Sequence, residues 1–419
     1  MRERQGILNN IDWITVLLFL MLAFVGWVNI YSAVYNEDHS SIFDFSQRYG
    51  KQLIWIFAAM GIALIIVIID ASFFITFAYL IYGISIVSLM AVLVAGTEIA
   101  GSKSWFQIGG IAIQPAEFAK FATSLALAKY LSTFNVSLSR LRTKIIASFI
   151  IFLPAALVLL QNDAGSALVY VVFILVLFRE GLTGNILLIG LAVTVLFVVA
   201  LLIQKIYIIA FLVFIAVVIF YFMRRSSTNI ISLIVILLVS SAFVFSVDYA
   251  FDNVLEPHQK KRINVLLGKE LDLRGAGYNV HQSKIAIGSG GIAGKGFLQG
   301  TQTKYDFVPE QDTDFIFCTI GEEWGYLGSM ALIILFLTLL LRLIKLAERQ
   351  RSNFSRIYGY GVASIIFFHF MVNIGMTIGL LPVIGIPLPF ISYGGSSLWA
   401  FTILLFIFIR QDASRKELL

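Results

Sequence analysis

Residues 184–203 read GNILLIGLAVTVLFVVALLI, a run without a charge in which only Asn185 and Thr194 carry polar side chains. A helix on a soluble core keeps one polar face, and this run has none; about 20 such residues reach across the ~30 Å hydrocarbon layer of a bilayer. Working outward, 206–223 and 228–247 repeat the pattern on either side of Arg224-Arg225. The whole chain contains further runs of this kind at 12–33, 52–70, 73–97, 115–133, 145–161, 164–179, 323–345, 357–380 and 396–410. The sequence therefore predicts an all-α polytopic integral membrane protein with about 12 transmembrane helices. Composition agrees: 59% of the residues are hydrophobic and 13% charged, and the mean hydropathy is +0.92. A soluble domain carries about 25% charged residues.

The formal charge of +6 does not point to nucleic acid, because the cations sit in short loops at helix ends, where they set orientation. An even number of spans puts both termini on one side. That side receives Arg2 and Arg4, Arg140, Arg142 and Lys144, Arg179, Arg224 and Arg225, Arg342 to Arg356, and Arg410 to Lys416. Both termini are thus expected in the cytoplasm. The first apolar run is long and followed by others, so it reads as an uncleaved helix, not a signal peptide. The single cysteine, Cys318, excludes an intrachain disulfide.

Within a single membrane-embedded domain (1–419), three segments stand out. Residues 248–322 form a polar, glycine-rich stretch without clear secondary structure, expected as a large extracytoplasmic loop. Residues 204–250 read as a transmembrane hairpin. Residues 381–397 hold three of the seven prolines and cannot form regular helix, so they are expected to re-enter the outer side as a buried loop.

Ionisable groups at span edges default to a functional reading. Glu117 and Lys120, at i and i+3 behind Pro115, either neutralise each other or leave Lys120 to meet an anionic ligand. Asp163 opens the run 164–179 as a helix cap, which does not exclude a second role. Arg48 precedes the second span, where a lone cation most often meets headgroups. Asp314, in Pro309-Glu310-Gln311-Asp312-Thr313-Asp314-Phe315, stands where the loop turns into apolar helix; it is a cap or a general base tuned by burial and nearby cations. Glu322 and Glu323 follow one to two turns later. The stretch Gly288-Ser289-Gly290-Gly291-Ile292-Ala293-Gly294-Lys295-Gly296 contains a formal G-x-G-x-x-A without a preceding strand, and it is not a P-loop. A sharp turn with close backbone packing is the preferred reading, with Lys284 or Lys295 available to phosphate oxygens. The histidines, His39, His258, His281 and His369, are scattered and predict no zinc site.

Several motifs together resemble one family. Asn373, Gly379-Leu380-Leu381-Pro382, Gly385-Ile386-Pro387 and Ile391-Ser392-Tyr393-Gly394-Gly395-Ser396-Ser397 are similar to the signature of the SEDS proteins (shape, elongation, division and sporulation). So are Gln114 to Lys120, Gly275-Ala276-Gly277-Tyr278, Gln282-Ser283-Lys284-Ile285 and Thr313-Asp314-Phe315. The stretch Gly294 to Gln302 and Phe307-Val308-Pro309-Glu310 resemble the rod-shape branch more than the division branch. The resemblance covers about 11–203 and 255–412. Two departures are the extra segments 206–223 and 228–247, added to a family core of ten helices, and Lys103 where relatives often carry Arg before Trp105.

The resemblance implies a peptidoglycan glycosyltransferase that polymerises lipid II at the outer leaflet of the cytoplasmic membrane for cell elongation and rod shape. Asp314 would be its essential aspartate. Substrate contacts would come from Lys120, Glu117, Asp163, Arg48, Lys284, Ser283 and Gln282. Implied partners are a class B penicillin-binding protein, rod-complex scaffold proteins, lipid II with its polyprenyl-linked glycan, and membrane lipid. No cofactor is required by the sequence, with a divalent cation such as Mg2+ as the candidate assistant. Two other classes compete. A lipid II flippase needs polar groups along the whole path between leaflets, whereas here they gather near one end. A non-catalytic scaffold leaves the charged pattern of the loop without a task.

Overall fold

Inside a bilayer every backbone N–H and C=O needs an internal partner, so the apolar runs fold as helices. The computed structural model describes residues 10–35, 41–99, 101–109, 111–223, 226–253, 257–267, 276–305 and 307–416. Arg2, Arg4, His39, Arg224, Arg225, Lys269, Arg274 and Gly275 lie outside them. The chain divides into two compact units, 1–182 with 278–419, and 183–277.

In the first unit the helices are α1 (Trp13–Ala33), α2 (Arg48–Ile68), α3 (Ala78–Ala95), α4 (Pro115–Leu131) and α5 (Leu141–Leu159), with a short helical segment, Ala71–Thr76, between α2 and α3. After them come α6 (Ala164–Leu168) and α7 (Phe173–Arg179), joined by a 3-10 turn at Val169–Val172. The second unit holds α8 (Gly184–Leu202), α9 (Lys205–Phe222), α10 (Ser227–Asn253) and α11 (Pro257–Leu266). Helix α12 (Ala276–Ser289) leads back to the first unit, which continues with α13 (Thr301–Lys304), α14 (Ile316–Glu348), α15 (Asn353–Thr377) and α16 (Gly395–Ala413).

Among the described residues ten helices are long and apolar enough to cross a membrane. The two other expected spans are helical but fall outside that class. Helix α4 has 17 residues, and 164–179 is interrupted by the 3-10 turn.

Helices α15 and α16 form the centre of the first unit, each with 83% of its span buried. Their buried polar residues, among them His369, Asn373, Thr402, Gln411 and Asp412, therefore face protein instead of lipid. At the end of this unit that carries the chain's C-terminal residues, Arg342 bonds Asp12 and Arg349 bonds Asp412, tying α1, α14 and α16 together. In the second unit Ala200, Leu201, Ile208, Val244 and Val247 make a small core of α8, α9 and α10.

Two features depart from the sequence reading. Residues 97–113 form a three-stranded antiparallel sheet, β1 (Thr97–Ile99), β2 (Ser102–Ile108) and β3 (Ile111–Ile113), in a chain expected to be all helix. Gly101 and Gly109 turn at positive φ between strands too short to register as a separate pattern. The stretch 248–322, expected without secondary structure, is largely helical over its described residues. Ala286 of α12 packs with Val308, Phe315 and Cys318, so α12 buries one face only.

The glycine-rich stretch is a close-packed turn against α14. Lys295 N–H donates to Glu322 O (3.0 Å) and Gly296 N–H to Glu323 O (3.0 Å), while Tyr326 and Leu327 donate back to Gly291 and Ile292. A Cβ at Gly294 would stand 2.0 Å from Glu323 O. This backbone exchange satisfies α14 where Gly325 breaks its helical geometry.

Candidate active site

Three successive carbonyls position Asp314. Asp312 O accepts from Tyr393 N–H (2.8 Å), Thr313 O from the Ser392 hydroxyl (2.6 Å), and Asp314 O from the Asn373 amide (2.8 Å). The turn leading in runs through Glu310 at φ 58°, whose carbonyl receives the N–H groups of Thr313 and Phe315. Phe315 is the cap residue of α14, and Asp314 stands one residue before it. Asp314 stays half-buried, with its Oδ2 against Gly385; a Cβ at Gly385 would stand 3.3 Å from that oxygen.

Asp312 itself is buried and accepts both hydrogen bonds of Arg48, at 2.8 Å each. Burial pushes its carboxyl above the usual carboxylate range, against the opposing pull of Arg48. The Arg48 guanidinium also lies 5.8 Å above the Tyr393 ring. Arg48 therefore fixes the peptide carrying Asp314 from behind, and its 52% exposed side chain leaves a face for solvent.

Four residues of the proline-rich loop, 384–387, gather most of the remaining groups. A Cβ at Gly165, two residues after Asp163, would meet Ile384 O at 2.5 Å. Gly385 faces Asp314, Ile386 O accepts from Asn373 (2.8 Å), and Pro387 O lies 3.1 Å from Nδ1 of His369. His369 Nε2 is 3.0 Å from Lys120 Nζ, which bonds Glu117 at 2.6 Å. Lys120 is only 2% exposed. The internal ion pair, one of the two readings of these residues, is what the fold holds. The other Glu117 oxygen, Oε2, is buried without a hydrogen-bond partner.

Asp163 caps α6 through Ser166 N–H (2.9 Å) and also accepts from Gln114 (2.7 Å), one residue before α4. On α12 the Ser283 hydroxyl donates to Thr377 O (2.9 Å). The exposed Lys284 lies along Gly379, where a Cβ would be 3.2 Å from its Cδ, and Gln282 is half-buried beside it.

Glu322 and Glu323 serve a different purpose. Glu322 takes the N–H groups of Thr301, Gln302 and Thr303 and the Lys295 ammonium (2.6 Å), so Lys295 is not available to a phosphate. Glu323 accepts from Ser32 and from Leu298 N–H. Among the described residues no group of three or more His, Cys, Asp or Glu side chains is placed to hold a metal ion.

Sequence reasoning missed His369, Asp312 and Tyr393. The first had a usable signal: His369 and Asn373 stand at i and i+4 in an otherwise apolar span, on one helix face.

Fold and site together define a polytopic helical membrane protein whose polar groups converge under a proline-rich loop at one end of its helices. Residues 12–210 and 183–417 match the Cell cycle protein family of FtsW, RodA and SpoVE, and the chain belongs to that family. It is 33% identical to the peptidoglycan glycosyltransferase RodA of Treponema pallidum (strain Nichols), over 93% of this chain and 95% of the relative. It is 35% identical to the peptidoglycan glycosyltransferase MrdB of Escherichia coli (strain K12), over 81% and 79%. A chain from a peptidoglycan synthase complex, solved to describe structural coordination of polymerization and crosslinking, superposes with a TM-score of 0.73. The two share 27% identity, over 97% of this chain and 98% of that one. The Rod shape determining protein RodA of Thermus thermophilus gives 0.63 at 25% identity, covering 97% of each. The SEDS resemblance thus holds, and within it the chain is most like RodA.

Proposed function

We propose that this chain is a peptidoglycan glycosyltransferase that polymerises lipid II at the outer leaflet, with Asp314 as general base. The observation that carries the assignment is the half-buried Asp314 carboxylate against Gly385, on a peptide whose three successive carbonyls are each hydrogen-bonded. The names and coverage of the relatives support the activity.

The acceptor's sugar 4-hydroxyl gives its proton to Asp314 as its oxygen bonds to C1 of the donor chain. The C1–oxygen bond to the pyrophosphate breaks with inversion, and polyprenyl pyrophosphate departs. Negative charge then has to be stabilised on the leaving group. Lys120 is paired with Glu117, Lys295 with Glu322 and Arg48 with Asp312, whereas Lys284 is exposed and has no ion pair among the described residues. Lys284 is therefore the foremost pyrophosphate contact, with Arg48 at the rim. Glu117, Lys120 and Asp163 shape the site from beneath the loop, and Ser283 holds α12 at its edge, beside Gln282.

The orientation follows from the loop cations: both termini cytoplasmic and the 381–397 loop re-entering from outside. A class B penicillin-binding protein is the crosslinking partner, in keeping with the synthase complex whose chain this one resembles. The test is polymerisation of purified lipid II by the reconstituted protein with that partner. Asp314→Asn is expected to lower the rate by 100-fold or more, on the order of a lost general base. Full activity in the variant overturns the base, and translocation of lipid II without polymer favours a flippase.

A further inference from the structure

His369 has no part in the chemistry above, is 1% exposed, and joins two parts of the site. Its Nδ1 faces the Pro387 carbonyl, which only accepts hydrogen bonds. Its Nε2 faces the Lys120 ammonium, which only donates and is paired with Glu117. An acceptor on one side and a donor on the other leave one arrangement: a neutral ring with its proton on Nδ1 and its lone pair on Nε2. Phe401 fixes the plane of the ring edge-on at 4.8 Å, and the Lys120 ammonium lies 5.5 Å over the same phenyl.

The loop needs such outside support. Pro382, Pro387 and Pro389 have no N–H to donate, so the loop is short of internal hydrogen bonds. The carbonyls of Ile386 and Pro387 are instead bound by Asn373 and His369, one turn apart on α15. Between them these two side chains hold the segment in which Gly385 backs the Asp314 carboxylate.

We propose that His369 is a positioning residue, which passes the location of the Glu117–Lys120 pair to Pro387 and so sets Gly385 against Asp314. The proposal rests on Asp314 acting as the base. His369→Gln keeps an amide donor for Pro387 and an oxygen acceptor for Lys120, whereas His369→Leu fills the volume without either bond. In lipid II polymerisation His369→Leu is expected to lower kcat about 10- to 100-fold, the scale of a slightly misplaced reacting group, with KM within about twofold. His369→Gln should recover to within about threefold of wild type.

A second measurement does not depend on activity. Histidine-selective 15N NMR of the full-length protein, with His369→Gln to assign the signal, should show a neutral ring protonated on Nδ1. Its Nε2 resonance should move in Lys120→Met. A cationic ring or the opposite tautomer overturns the proposal. So does wild-type kcat in His369→Leu, or an equal loss in the Leu and Gln variants matched by an equal fall in thermal stability. Failure of the wild type to polymerise lipid II defeats the glycosyltransferase reading instead, and the NMR result then decides the bridge alone.

Discussion

Asp312, Thr313 and Asp314 each give their carbonyl to a different donor, so the peptide carrying Asp314 cannot rotate without losing bonds to the proline-rich loop or to α15. Gly385 completes this setting from the other side. At φ 77° an L side chain costs about 1–2 kcal/mol, and a Cβ would also crowd the Asp314 carboxylate. Gly385→Ala is therefore expected to lower polymerisation by about tenfold or more through displacement of that carboxylate. Steady-state rates beside thermal unfolding check this, and a wild-type rate would mean that Asp314 has room to move. The pairing of Glu117 with Lys120 was one of two readings open in the sequence, because i,i+3 neighbours share one helix face. His369 was not legible there, because its two partners come from residues far along the chain whose approach only folding decides.

Helix α14 and the stretch 290–303 form one structural element held by Glu322. This carboxylate is fully buried and is the shared acceptor for three N–H groups and the Lys295 ammonium. Glu322→Ala removes the shared acceptor of the three N–H groups and the partner carboxylate of Lys295, and is expected to cost about 3–5 kcal/mol. Lowered thermal stability, with earlier protease cleavage within 290–303, would show it; unchanged resistance would mean the stretch is held by its backbone bonds alone. The long spans were legible as elements, since an uncharged run of spanning length has one solution in lipid. The sheet at 97–113 and helix α12 were not. Short strands lack a distinct period, and α12 becomes amphipathic only against the core that Phe315 and Cys318 provide.

At the scale of the molecule, orientation is the property the cations predict and the fold does not test. Single cysteines in a Cys318→Ser background address it, using exposed positions in the first unit. An impermeant maleimide should label Tyr305→Cys in intact cells, and Ser139→Cys only after permeabilisation. The reverse pattern would put the site on the cytoplasmic side. What the sequence determined by itself was the membrane class, the helical runs and the family, with its carboxylates and cations. Hydropathy and spacing are local properties that lipid turns directly into helices. The tertiary structure decided which of those charges is spent on which partner. Lys120, Arg48 and Lys295 each acquire a carboxylate, Asp314 comes to lie against Gly385, and His369 gains its place between two elements. Such pairings depend on distances between residues remote in the chain, and those distances exist only once the helices have packed.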